Sequence, residues 1–209
     1  LVQITKAETV FDTIKNQIAV RLYPSDYWDP ERLVYRVDFE SILSTIVLDF
    51  PEAVKAVSPG EALSWGRTLD ELMIVGIDNV VANYSPEIFT HQISESQELY
   101  VITGGGVFTT TFLYKLDLFE EIIGKYGALV SIPHREAILV LPIHSRETLE
   151  DVDVFINVTI GMYMDGPGSM SHYIWLYRDN VFQRVDIVTP DYEVFVLLPN
   201  EMFESSLLE

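Results

Sequence analysis

Cysteine is missing altogether from the 209 residues of this chain. Its absence excludes disulfides, thiolate metal sites and thiol catalysis together, and it fits a reducing compartment. Cationic side chains are scarce: Lys and Arg number 13 against 32 Asp and Glu, for a formal net charge of −19. Lys6, Lys15, Lys55, Lys115 and Lys125 are scattered, so no basic stripe exists for a phosphate backbone to follow. A field of this sign repels nucleic acid and anionic membrane surfaces alike. It keeps a protein in solution, and it also suits a basic protein partner. Long apolar runs are lacking as well. The longest uncharged run, Leu99 to Tyr114, is interrupted by Gly104, Gly105 and Gly106. It falls short of the roughly 18–20 apolar residues that a membrane span requires. No secretory leader pattern is visible. The expectation is a cytoplasmic protein with no membrane and no nucleic-acid contact.

What the chain does have is core-forming material: 48% of it is hydrophobic, with 11 Phe, 11 Tyr and 3 Trp. That suffices for one domain without a staple, so a single α+β domain over residues 1–209 is expected. Thr5-Lys6-Ala7-Glu8 reads as a capping box opening a helix to about Asn16. Ile18 to Tyr23 is a strand halted by Pro24. Leu33 to Phe39 alternates apolar with polar residues, and Ile42 to Phe50 follows across Glu40-Ser41 as the second arm of an antiparallel hairpin. Ser58-Pro59-Gly60-Glu61 and Thr68-Leu69-Asp70-Glu71 are two further capping boxes. After the second, Leu69, Leu72, Met73, Gly76, Ile77, Val80, Val81 and Tyr84 form one helical stripe.

Further on, Leu99 to Thr103 is a strand running into the three glycines. The pattern then predicts a helix from about Phe108 to Lys125, closed by Gly127. Ala128 to Ile132 and Ala137 to Ile143 are apolar strands on either side of Pro133-His134-Arg135-Glu136. Thr148 to Met162 has helical spacing at Leu149, Val152, Ile156, Thr159 and Tyr163, yet it is dense in the β-branched residues that strands favour. Asp165 to Ser169 is a turn. Tyr173 to Tyr177 and Val181 to Val188 are strands joined at Arg178-Asp179-Asn180, and Tyr192 to Leu198 is a last strand before an acidic tail. No βαβ rhythm is present. The expected fold is therefore α+β, a mixed and largely antiparallel sheet packed with several helices.

Several of these fragments, in this order, resemble one known family. They are Val20-Arg21-Leu22-Tyr23-Pro24, the aspartate-bearing hairpin from Val34, the helical segment from Trp65 to Asn79, and the strand–glycine–helix unit at 99–125. Val130-Ser131-Ile132-Pro133-His134-Arg135-Glu136 and the turn and strand pair near Tyr177 to Val185 complete the set. Together they are similar to the YtpQ-like family of uncharacterised bacterial proteins. The resemblance implies an intracellular bacterial protein and brings with it no activity, cofactor or catalytic residue. The glycine turn departs from the family pattern, because Gly104-Gly105-Gly106 leads here into Val107-Phe108-Thr109.

Candidate chemistry is sparse. A strand–Gly104-Gly105-Gly106–helix junction can present free amides to an anion. This one is neither a dinucleotide fingerprint nor a Walker loop, and a turn that needs positive φ accounts for it. His134, beside Arg135 and Glu136, has the residue type for acid–base work. His144 lies at the far end of the same strand, roughly 30 Å away if extended at ~3.3 Å per residue. His91, His134, His144 and His172 show no metal-ligand spacing. The pairs Asp70/Glu71, Glu120/Glu121 and Glu150/Asp151 are neighbours that diverge by about 100° on a helix. No nucleophile elbow is present. Trp28, Trp65 and Trp175, with Tyr23, Tyr27 and Tyr35, are candidates to line a binding surface; Tyr27 and Trp28, two aromatics in a loop between prolines, are the best of these, and Trp65 fits an anchor of the helical segment to the sheet.

Two readings of function follow, with no catalytic residue, cofactor or metal assigned in either. The preferred one is a binding protein without a reaction of its own, whose acidic surface meets a basic protein partner. The alternative is a small-molecule enzyme or sensor with a pocket near the glycine turn and His134/Arg135. An assembly subunit, closed by an apolar patch on a dimer axis, is a third possibility.

Overall fold

A computed structural model of the chain describes residues 10–27, 29, 31–188 and 195–197. Its contacts group into two compact units: residues up to Ser85 together with Gly105–Tyr114, and Pro86–Gly104 together with the chain from Lys115 onward. The fold class is α+β, as the mixture of hairpins and helices predicts.

Unit one is organised by a strand buried on both faces. Strand β3 (Ile42–Phe50) has every residue from Ile42 to Leu48 buried, a consequence of its nearly continuous apolar, β-branched composition. Along one edge it pairs antiparallel with β1 (Ile18–Pro24), from Ile18↔Leu48 to Pro24↔Ile42. Along the other edge it pairs with β2 (Tyr35–Phe39) and then β4 (Ala53–Ala56). The β2–β3 turn is the expected one, with Ser41 at φ 67°. The helix predicted from Lys6 begins outside the described residues; residues 10–14 are helical and Lys15–Gln17 form a 3-10 turn into β1.

Helix α1 (Pro59–Ser64) starts where Ser58 accepts the Glu61 amide, and α2 (Leu69–Asn83) starts at a complete capping box. In that box the Thr68 amide donates to Glu71 Oε2 at 2.7 Å, and the Glu71 amide donates to Thr68 Oγ1 at 3.2 Å. Of the predicted stripe, Leu72, Met73, Gly76, Ile77 and Val80 are buried, while Asp70, Glu71 and Asp78 face solvent. The helix lies so close to β1 that a Cβ on Gly76 would stand 2.9 Å from both the Ala19 carbonyl carbon and Val20 Cγ2. Asn79 ties the same helix to the start of β1, its Nδ2 donating to the carbonyls of Lys15 and Ile18 at 2.7 and 2.8 Å.

The continuous helix expected over Phe108–Lys125 is not formed. The chain instead makes 3-10 turns over Gly106–Leu118, broken at Lys115 (φ −135°, ψ 36°), and a further 3-10 turn at Glu120–Ile122. Thr109, Thr110 and Thr111 explain part of the difference. All three are buried, and β-branched hydroxyl residues both crowd an α-helix and compete for its backbone groups. Thr111 Oγ1 donates to Val20 O at 2.7 Å and Thr109 Oγ1 to Gly106 O at 2.9 Å. Gly127 closes no helix; it exchanges hydrogen bonds with Gly124 in an isolated antiparallel bridge.

Unit two is a six-stranded antiparallel sheet in the order β10-β9-β7-β8-β6-β5. Its strands are β5 (Glu87–Gln92), β6 (Glu98–Thr103), β7 (Ala128–His134), β8 (Ala137–Pro142), β9 (Ile174–Arg178) and β10 (Val181–Arg184). The central pair β7 and β8 is buried throughout. Burial also decides the ambiguous stretch. After a 3-10 turn at Arg146–Asp151, α3 (Val152–Asp165) is helical and sinks Val152, Phe155, Ile156 and Thr159 against the sheet. Val152, Phe155 and Ile156 join Leu99, Leu129, Leu139, Leu141, Ile174 and Leu176 in one core. The β9–β10 hairpin turns through Asp179 (φ 50°) and Asn180 (φ 61°), the positive pair that a tight two-residue turn demands. The predicted strand Val181–Val188 is divided by a buried Val185, whose amide donates to Ile174 O. Its second part, β11 (Asp186–Val188), pairs with β12 (Phe195–Leu197). The acidic tail lies outside the described residues.

Two substitutions test this packing. Gly76→Val should lower the free energy of unfolding by about 1–3 kcal/mol through overpacking against β1, with Gly76→Ala milder because helix propensity offsets about 1 kcal/mol. Thr68→Ala should cost about 1 kcal/mol through loss of the cap. Urea midpoints measure both, and an unchanged midpoint for Gly76→Val would refute the close approach.

Candidate functional site

The Pro133–Glu136 turn is the most constructed of the sequence candidates. Strand β7 shifts register between Ser131 and His134, and the segment after α3 runs beside it. Arg135 N donates to Gly168 O, Met170 N to Pro133 O and Ser171 N to Ile132 O, all within 2.9–3.0 Å. His134 is 8% exposed. Its Nδ1 accepts the Glu136 amide at 3.2 Å, which places any proton of the neutral ring on Nε2. Gly166 passes directly over the ring: a Cβ there would fall 2.2 Å from His134 Cδ2. Burial lowers the imidazole pKa, against a smaller raising effect of Glu136, and Arg135 lowers it further. Arg135 is itself exposed and lies 3.3 Å from Glu136 Oε1. The arrangement holds a neutral histidine as an acceptor for its own turn.

The glycine turn serves a different neighbour. Gly104 has φ 82°, and a Cβ there would meet Glu87 Cγ at 3.1 Å. Register Ile102↔Ile138 brings the end of β6 level with the β7–β8 turn, with β8 intervening between β6 and β7. Gly104 packs on Glu87, and His134 packs on Gly166. Gly105 belongs to unit one, where its carbonyl accepts the Phe108 amide at 3.2 Å and a Cβ would lie 3.0 Å from Thr109 Cα.

Of the aromatic pair, Tyr27 is 60% exposed and Trp28 lies outside the described residues. Tyr27 stacks on Tyr23 at 5.5 Å, and the Arg21 guanidinium stands 4.8 Å above the Tyr23 ring. Tyr35 is half-buried, whereas Trp65 and Trp175 are both buried, Trp65 at the end of α1 as an anchor.

Two features are at most partly signalled in the sequence. In unit one, Arg36 Nε lies 2.5 Å from Asp38 Oδ1 and Arg36 Nη1 lies 2.8 Å from Asp70 Oδ1. The Tyr114 hydroxyl bonds both Asp38 and the buried Ser44. Burial and then the Asp38 charge push the Tyr114 phenol far above its ordinary value, so it stays protonated and works as a strut. Alternation in β2 puts Arg36 and Asp38 on one face, which is readable; that Tyr114 meets them is not. In unit two, Tyr163, His172, Tyr173 and Trp175 form a chain of ring contacts at 5.4, 4.7 and 6.5 Å, with Arg184 capping Tyr173 at 4.2 Å.

A shallow surface crevice, with no room for a ligand, is lined by Asn16, Asp49, Asn79, Asn83 and Tyr84. Its principal polar groups are already engaged. Tyr84 donates to Asp49 at 2.7 Å, its phenol pushed up to about 12 by burial and by that carboxylate, and Asn79 is bound to the backbone before β1. Among the described residues no group of His, Asp or Glu is placed to hold a metal ion, and no helix is long and apolar enough to cross a membrane. Comparison with protein-family models, curated proteins and solved structures finds no match.

The buried imidazole has a thermodynamic signature. Because its folded pKa lies below the ordinary 6.5, the unfolded chain takes up the proton first. The contribution of His134 to stability is full above that value and is lost as pH falls through the lower, folded one. Urea midpoints at about pH 7.5 and about pH 5 should therefore drop more for the native chain than for His134→Gln. Equal drops would mean the ring titrates normally.

Proposed function

We propose that this chain is a binding protein of the cell interior, without a reaction of its own, whose acidic surface receives a basic protein partner. The observation that carries the reading is the charge: 32 acidic against 13 basic residues. It is unevenly arranged. From Thr68 to Tyr114 the chain has no Lys or Arg, while Asp70, Glu71, Asp78, Glu87, Glu95 and Glu98 all fall there. An excess of this kind steers an oppositely charged partner and raises its rate of encounter. The engagement of His134, Tyr84, Tyr114 and Asn79 in internal bonds supports binding over catalysis, because these polar groups are spent on the fold itself. Membership of the YtpQ-like bacterial family, and with it a cytoplasmic location, belongs to the same proposal and rests on the fragments that suggested it.

Affinity capture from native lysate at two ionic strengths tests the reading. Basic proteins should be retained at about 50 mM salt and released by about 300 mM, as the screening length shortens. Retention that ignores salt, or elution of nucleic acid or of a metabolite in place of protein, would overturn it.

A further inference from the structure

We propose that β5 is where the partner docks, as an extended basic segment that adds itself to the six-stranded sheet of unit two. The proposal rests on the basic-partner reading above and supplies its geometry. Strand β5 is the edge of the sheet, and among the described residues no strand pairs with its outer side. Glu87, Phe89, Thr90, His91 and Gln92 are all exposed, with Phe89 50% open to solvent. An edge strand presents a row of unpaired amides and carbonyls, and proteins ordinarily blunt it with lysine, proline, a bulge or brevity. Here the six residues pair with β6 in an unbroken register and contain neither Lys nor Pro. The opposite edge, β10, has only four residues and ends in Arg184.

Charge defines the occupant. No Asp, Glu, Lys or Arg occurs from Ile88 to Ser94, so the strand itself repels nothing. Its two ends are acidic. Glu87 begins it, and beyond Gln92 come Glu95, Glu98 opposite Gln92 in register, and Asp151, which accepts the Ser94 hydroxyl at 2.8 Å. An incoming strand with cationic ends therefore meets carboxylates at both ends and a neutral middle. Phe89 and His91 share one face of β5 with their partners Val101 and Leu99, so an apolar side chain set beside Phe89 extends the sheet's own surface. A second copy of this chain would bring another −19 to the same place.

The probe is a synthetic seven-residue peptide alternating Lys and Val, followed by hydrogen exchange at the amides of residues 87–92 in the full chain. Exchange at the outward-facing amides should slow by about ten-fold or more at saturation. A version N-methylated at alternate residues, with the same charge, should give no such protection, and Phe89→Ser, at an exposed site, should weaken binding without unfolding the chain. Binding of the Lys-Val peptide that protects other acidic surface but not β5 overturns the docking site while leaving the basic-partner reading intact. No binding at low salt defeats both. Equal protection by a control peptide of the same length alternating Glu and Val overturns the basic class of occupant, and protection in the peptide-free protein together with a dimeric mass assigns the edge to a second copy.

Discussion

Hydroxyl groups that are denied water hold this fold in register. Ser44, Thr45, Thr109, Thr111, Ser131, Thr148 and Thr159 are buried, and a buried donor left without a partner costs about 1–3 kcal/mol. Each finds one, mostly far away in sequence. Thr45 reaches Arg21 O, Thr111 reaches Val20 O, Ser44 meets Tyr114, Ser131 meets Thr159, and Thr148 donates to Gln97. The apolar core would tolerate some sliding of one layer over another. These pairs do not, because a slip strands both members at once. The α3 helix is fixed over β7 by hydrophobic burial and placed along it by the Ser131–Thr159 bond.

Legibility in the sequence followed the strength of local signals. Helix α2 was readable in its cap, its stripe and its acidic first turn, since all three agree. The β2–β3 and β9–β10 hairpins were readable from alternation and turn residues. Over 108–125 the apolar spacing suggested one helix, and buried threonines bonded to their surroundings gave 3-10 turns instead. Composition could not decide 148–162, because β-branched content and helical spacing conflicted there; the need to cover the sheet settled it. At the site level, the turn at His134 was visible through Pro133 and the downstream Gly166-Pro167-Gly168, but that Nδ1 accepts the Glu136 amide is a matter of register. Contacts such as Asp38 with Tyr114 depend on the path of the whole chain, and no window of sequence contains them.

Acidity and neutrality are distributed with some order. On α2 the carboxylates of Asp70, Glu71 and Asp78 lie on the exposed face opposite the buried stripe, as amphipathic patterning requires. Asp70 is also drawn to Arg36. Strand β5, by contrast, is exposed at five of its six residues and has no charge after Glu87. An exposed phenylalanine beside open backbone is a liability for a protein with no use for it.

Unit one is written in two pieces, since Gly105–Tyr114 belongs to it although the β5–β6 hairpin comes between. On a ribosome the first 85 residues emerge with a β1 edge whose Val20 carbonyl waits for Thr111, and with a Ser44 that waits for Tyr114. Their closure is deferred until the hairpin of the other unit has been synthesised. Unit one is complete once Tyr114 has been made, when only the β5–β6 hairpin of unit two exists, so a fragment meant to hold unit one has to run past that hairpin rather than stop at Ser85.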